Sequence, residues 1–215
     1  MDGLRHELLT GIRAVQKMGL FELNTGHIAV RIRGRGAYLV PRHLHGEHGI
    51  GGLGALGLED LVEVDLATGT WTDGQEPPDE VYLHTEIFRA RADVGAIVHC
   101  HREAPVALSV ADVPVVAVHH YGALFAPAVT IYSEHHQINS SERGRVMRAH
   151  GATAVGVDIR EAVAVMFPLD QCARRQLQAS QAGTPRPIDV PVGARPRLFA
   201  NTIRNTWFWF AANEP

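Results

Sequence analysis

Cysteine is scarce in this chain: two in 215 residues, Cys100 and Cys172, far apart and without C-x-x-C spacing. A disulfide framework or a thiolate zinc site therefore has no basis, and both thiols are expected to be reduced. No apolar run reaches the roughly 18 residues that a membrane span requires, and the N-terminal MDGLRHELLTGIRAV lacks the long apolar centre of a signal peptide. The expectation is a soluble, cytoplasmic protein with no membrane partner. A large excess of charge is missing too. With 20 Lys+Arg against 23 Asp+Glu the formal net charge is −3, which argues against a general nucleic-acid binder, because such proteins carry a basic excess to neutralise phosphates. No G-x-G-x-x-G follows a strand and no G-x-x-x-x-G-K-[ST] occurs, so a Rossmann or P-loop nucleotide site is not supported. With 46% apolar and 20% charged residues the composition is that of a globular domain, not a disordered chain.

What the chain has in plenty is histidine: 13 residues, against 7 Phe, 4 Tyr and 3 Trp. Histidine is the commonest protein metal ligand and titrates nearest neutrality, so the count directs attention to a metal or proton-transfer site. The spacing narrows the search. Leu4, Leu8, Ile12 and Val15 recur at helical intervals before Gly19. Ile28, Val30 and Ile32 alternate as a strand, with a hairpin return through Gly34-Arg35-Gly36 into Ala37–Val40. Residues 43–57 are glycine-rich and aperiodic, which predicts a loop, and Leu61–Leu66 reads as a further strand. Asp79 is placed to cap a helix running from Glu80 to Arg91. The run from Val94 to His101 is β-rich and ends in H-x-H; side chains alternate along a strand, so His99 and His101 share a face while Cys100 points the other way. Helix is expected at 103–110, strand at 113–118, helix at 138–147, a strand beginning at Val155 and a long helix from Glu161 to Ala182. The short connections favour a three-layer α/β/α fold with a central mixed, largely antiparallel sheet. Residues 1–182 read as one domain. Residues 183–215 form a Pro-rich connector and an aromatic tail, Trp207-Phe208-Trp209-Phe210, expected to pack on the same domain or a neighbouring subunit.

Three segments, NTGHIAVR at 24–31, EVYLHTEIFRARADVGAIVHCH at 80–101 and RAHGATAVGVDIREAV at 148–163, together resemble the class II aldolase and adducin family. The resemblance spans residues 4–182 and is most specific at 80–101. It implies that His99, His101 and His150 bind a divalent metal, with Glu80 as acid/base or fourth ligand. It also implies a homotetramer with sites near subunit interfaces. The chemistry agrees: three imidazoles with one open position make a catalytic site at which a Lewis-acidic ion can hold a developing enolate. Zinc, manganese, iron and cobalt all suit that donor set.

Sugar-phosphate members of the family cradle the phosphate at three places that here read Gly26-His27, Pro41-Arg42 and Pro78-Asp79. These replacements remove small donors and add a carboxylate, so a phosphorylated substrate is disfavoured. The variant is more similar to the branch that decarboxylates hydroxylated aromatic or pyridine carboxylates. The leading expectation is accordingly a metal-dependent carbon–carbon lyase, a decarboxylase of a small hydroxylated aromatic or heteroaromatic acid. An aldolase for a non-phosphorylated sugar or hydroxy-ketoacid is the alternative, and a non-catalytic adducin-like interaction module is the alternative of another class. His27 and Arg102 are candidates for substrate binding, Arg102 because a guanidinium suits bidentate carboxylate recognition. Tyr121 is a candidate proton donor by resemblance to a segment whose tyrosine reaches a neighbouring subunit's site. His43, His45 and His48 are read as part of a solvated loop.

Overall fold

The helical spacing of Leu8, Ile12 and Val15 gives α1 (Asp2–Lys17) one apolar face, which it buries, and Gly19 at φ +65° lets the chain leave the helix where it was expected to stop. The computed structural model describes residues 1–22, 25–44, 52–71, 74–125, 128–132, 143–189, 191, 200–202 and 204. After α1 come the hairpin strands β1 (His27–Ile32) and β2 (Ala37–Pro41), then β3 (Leu61–Asp65). Helix α2 (Val81–Ala90) leads into β4 (Ala96–Cys100), and α3 (Glu103–Val110) into the short β5 (Val115–Val116) and β6 (Ala128–Val129). The chain continues through β7 (Ile131–Tyr132), β8 (Gly144–Met147) and β9 (Gly151–Gly156), and closes with α4 (Ile159–Ala182).

Seven of these strands form one sheet in the order β3-β2-β1-β4-β9-β8-β7. Every pairing in it is antiparallel except β7 with β8, and β5 and β6 make a separate two-stranded ribbon. Strand alternation sorts the side chains to two faces. Ile28, Val30, Val98, Cys100, Ala152 and Ala154 pack under α1 and α4, against Leu8, Ile12, Val163 and Met166. Ala29, Tyr38, Val40, Ile97 and Val155 pack under α2, against Leu83, Ile87 and Phe88. The three-layer mixed α/β architecture expected from the sequence is the one observed. No described helix is long and apolar enough to cross a membrane.

Local expectations fared unevenly. Glu80, not Asp79, is the N-cap residue of α2, and neither side chain makes a cap hydrogen bond there; Asp79 instead faces solvent, its Oδ1 3.3 Å from His43 Nδ1. The helix expected at 138–147 is contradicted where it is described: 144–147 is strand β8, every residue buried, while 138–142 lie outside the described residues. The Glu-Arg-rich run there favours helix by propensity, but pairing with β9 overrides it. β9 ends at Gly156 instead of starting at Val155, because three of the residues Gly151-Ala152-Thr153-Ala154 are small and carry little strand propensity, Thr153 alone being branched. The strand at 113–118 shrinks to two residues. His45, His48, His135, His136 and the aromatic tail lie outside the described residues.

Candidate metal centre

Register across three strands builds the floor of the site. His27 on β1 pairs with His99 on β4, and His99 pairs with Thr153 on β9, so these side chains stand in a row on the α2 face of the sheet. His101 follows the end of β4 and, two residues beyond His99, returns to the same face, as the H-x-H spacing required. His150 arrives from the β8–β9 turn. Ala149 adopts φ +57°, a left-handed conformation unusual for a residue with a Cβ. Its N–H donates to Ser109 Oγ on α3 at 3.0 Å, and His150 N–H donates to Met147 O at 3.2 Å, so the turn is braced from two sides. Gly151 is obligatory in this packing, since a Cβ there would lie 2.6 Å from Cys100 O and 2.8 Å from the His101 ring.

The three Nε2 atoms converge: His99 to His101 2.8 Å, His99 to His150 3.2 Å and His101 to His150 3.2 Å. Glu80, at the head of α2, sets Oε1 2.6 Å from His150 Nε2 and Oε2 3.4 and 3.5 Å from the Nε2 atoms of His99 and His101. One donor atom from each of the four residues thus lies within 4.8 Å of the others. Mutual hydrogen bonding does not account for the triangle. A neutral imidazole nitrogen either donates or accepts, never both, so three Nε2 atoms in mutual contact always leave one pair donor against donor or acceptor against acceptor, while His99 Nδ1 has its own partner in Thr153 Oγ1 at 2.9 Å. Lone pairs converging on one point, with a carboxylate beside them, fit a cation. The spacing also fits: a tetrahedral ion with bonds of about 2.1 Å separates its ligands by about 3.4 Å. The Thr153 contact is the outer hydrogen bond that fixes a ligating imidazole's tautomer.

Electrostatics favour the ligating forms. Burial pushes the His99 and His27 imidazoles down, His99 strongly, so both are neutral near pH 7. Burial alone raises Glu80, but its close contacts with His101, His150 and His27 outweigh it and hold the carboxyl well below the usual carboxylate range. The cluster opens into a cleft of roughly 230 Å³ whose lining includes Pro41, Arg42, His43, Pro78 and Asp79 together with His27, Glu80 and His101.

Of the residues singled out in the sequence, Glu80, His99, His101 and His150 are brought together. His27 lines the cleft, but both its ring nitrogens have protein partners: Nε2 lies 3.3 Å from Glu80 Oε2 and Nδ1 2.6 Å from His84 Nε2. Arg102 is directed elsewhere, its Nη1 donating to Glu22 Oε1 at 2.7 Å and its Nε to the buried Asp170 at 3.2 Å. Tyr121, on a 3-10 turn, has its ring against His119 and His120, with centroids 4.8 and 4.1 Å away, and is not among the residues of the cluster. Sequence reasoning passed over His84 and Thr153. His84 stands four residues after Glu80 on one helix face, a signal that was present; Thr153 becomes visible only once the register is known.

Comparison with known proteins agrees with the architecture. A model of the class II aldolase and adducin N-terminal domain family matches residues 6–177. The chain is 26% identical over 194 residues to a 5-methylthioribulose-1-phosphate/5-deoxyribulose-1-phosphate aldolase of Rhodospirillum rubrum, covering 85% of this chain and 84% of the relative. It is 28% identical over 201 residues to a 3,4-dihydroxyphthalate decarboxylase of Arthrobacter keyseri, covering 84% and 80%. Among solved structures, an L-fuculose 1-phosphate aldolase from Glaciozyma antarctica superposes with a TM-score of 0.82 over 98% of this chain and 88% of that one, at 22% identity.

Proposed function

Because the chain belongs to the class II aldolase and adducin N-terminal domain family, we propose that it is a divalent-metal-dependent carbon–carbon lyase, and specifically a decarboxylase of a small hydroxylated aromatic or heteroaromatic carboxylic acid. The observation that carries the lyase reading is the convergence of Glu80, His99, His101 and His150 at the inner end of an open cleft. His99, His101 and His150 would hold a divalent ion, which when bound would supply Lewis acidity toward a substrate oxygen. The chain's own groups do the rest. Glu80, ionised and within hydrogen-bond reach of the cleft, takes or returns the proton at the reacting carbon or its hydroxyl. Arg42, anchored through Nε to Asp60 Oδ1 at 2.7 Å, gives the cleft wall a cation suited to a carboxylate.

The choice of decarboxylation rests on the cleft wall. Pro41 and Pro78 offer no backbone N–H, and Asp79 adds a negative charge beside them. Arg42 can pair with either anion, but without backbone N–H groups at Pro41 and Pro78 the wall meets fewer of a phosphate dianion's oxygens than of a single carboxylate's on a flat ring. The similarity to 3,4-dihydroxyphthalate decarboxylases supports the same reading, while the methylthioribulose-phosphate aldolase relative keeps aldol cleavage as the second. A panel of ortho-hydroxy aromatic dicarboxylates assayed for carbon dioxide, run beside sugars and sugar phosphates assayed for aldehyde, separates the two. Aldehyde release alone would reverse the ranking. A homotetramer with Tyr121 reaching a neighbouring subunit's cleft belongs to the same proposal. Light scattering reads the first part, and a Tyr121→Phe variant with unchanged kcat would remove the second.

A further inference from the structure

His84 has no part in the reading above, although it is completely buried one helical turn beyond Glu80 on α2. Its Nε2 lies 2.6 Å from His27 Nδ1, the two rings edge to face with centroids 4.6 Å apart, and His27 Nε2 lies 3.3 Å from Glu80 Oε2. The direction of this chain is set from the Glu80 end. An ionised carboxylate only accepts, so His27 donates from Nε2. A neutral ring has one N–H, so His27 Nδ1 must then accept, and His84 must donate from Nε2. That leaves His84 Nδ1 as a lone pair, and this atom is buried with no hydrogen-bond partner among the described residues. The reverse order would set a His27 lone pair against the carboxylate and bury an N–H at the far end, and orphaned buried N–H groups are the rarer and costlier kind.

We propose that His84 is a positioning residue for the reaction: it holds His27 in the Nε2–H form, and His27 in turn aims a single donor at Glu80 Oε2 and fixes the carboxylate against the three ligating imidazoles. The role rests on the proposed use of Glu80 at the metal centre. The chain closes at His84, whose far nitrogen is buried and meets no partner among the described residues. It is therefore a brace and not a wire that carries protons to water. His27 accordingly belongs with the groups that orient Glu80, which accounts for both its nitrogens being engaged.

Neutron diffraction from deuterium-exchanged crystals of the full chain loaded with zinc reads the proton positions directly. Deuterium is expected on Nε2 of His27 and of His84 and on neither Nδ1. Deuterium on His27 Nδ1 overturns the proposal whatever the substrate proves to be, so its failure is distinguishable from failure of the decarboxylase reading. In solution, His84→Gln keeps an N–H near the Nε2 position, whereas His84→Met fills the space without a donor. With the substrate found in the panel, His84→Met is expected to lose roughly 10-fold to 100-fold in kcat with KM and zinc content little changed, and His84→Gln to recover most of the loss. Equal losses in the two variants, or a loss that tracks zinc content, would reduce His84 to a packing residue and sink the idea. If His84→Met does not fold, the glutamine variant and the neutron map still decide.

Discussion

Thr153 offers no ligand, yet its hydroxyl lies 2.9 Å from His99 Nδ1 and governs which nitrogen of that ring faces the cluster. Replacing it by valine keeps the branched shape and removes only the hydroxyl. Thr153→Val is expected to weaken zinc binding roughly 10-fold to 100-fold while the melting temperature of the metal-free protein changes little, as read by competition with a chromogenic chelator. Arg102 invites a different test. If its guanidinium serves Glu22 and the buried Asp170, Arg102→Met should cost roughly 1–3 kcal/mol in urea unfolding and leave KM alone; a raised KM at unchanged stability would return it to substrate binding. Tyr38 carries a pH signature. Burial pushes its phenol up to about 12, against a hydrogen bond with Thr85 that lowers it. A raised folded value means that the stabilisation is complete below the usual phenol value of 10 and declines as pH rises toward about 12, at about 1.4 kcal/mol per pH unit at most. Chemical denaturation between pH 9 and 12 should show that decline, and Tyr38→Phe should make it shallower without abolishing it, since burial also pushes the Cys100 and Cys172 thiols up. At this scale the sequence was informative where spacing implied geometry: H-x-H on a strand meant two ligands on one face. His150, a lone histidine before glycine, and Glu80 were recognisable only through resemblance, since nothing local distinguishes them from solvated polar residues.

At the scale of elements, the cluster depends on how closely β4 and β9 approach at their ends. Gly151 permits that approach, with Cys100 O and the His101 ring filling the space a Cβ would take. Gly151→Ala is therefore expected to cost about 1–3 kcal/mol and, by displacing His101, to lower zinc affinity in the same protein. Calorimetry together with metal titration checks both, and a loss of stability with intact affinity would separate the strand contact from the site. The same region shows why boundaries were harder to read than elements. α1, β3 and α4 announce themselves through an apolar side set against a wetter one, and the hairpin of β1 and β2, buried almost throughout, through its Gly34-Arg35-Gly36 turn. β8 is buried along its whole length and carries Gly144 and Arg145, so it shows neither alternation nor strand propensity. Its identity comes from its partners across the sheet, and partners far along the chain leave no mark in a local window.

For the whole molecule, the ligands tie together segments from α2, β4 and the β8–β9 turn that are well separated along the chain. An ion that binds the folded state and not the unfolded one stabilises the fold by mass action, by about 2.7 kcal/mol at a free concentration 100 times its Kd. Stripping with EDTA is expected to lower the melting temperature by several degrees in differential scanning calorimetry, and readdition of zinc or manganese to restore it. A His99→Ala variant should melt identically with and without chelator. Equal melting of the native protein under both conditions would speak against a resident ion. Exposure is shared unequally among the ligands: the His99 side chain is fully enclosed, while those of Glu80, His101 and His150 keep 20%, 28% and 22% of their surface. Among the described residues, Glu80 and His101 are the ligands that line the cleft, which gives traffic to and from the centre a path on that side. A carboxylate lodged in the cleft stands in the path by which an ion would leave, so saturating substrate analogue should slow chelator-driven metal loss. Turnover and metal exchange are then expected to share that opening, with resistance to chelators greatest at saturating substrate.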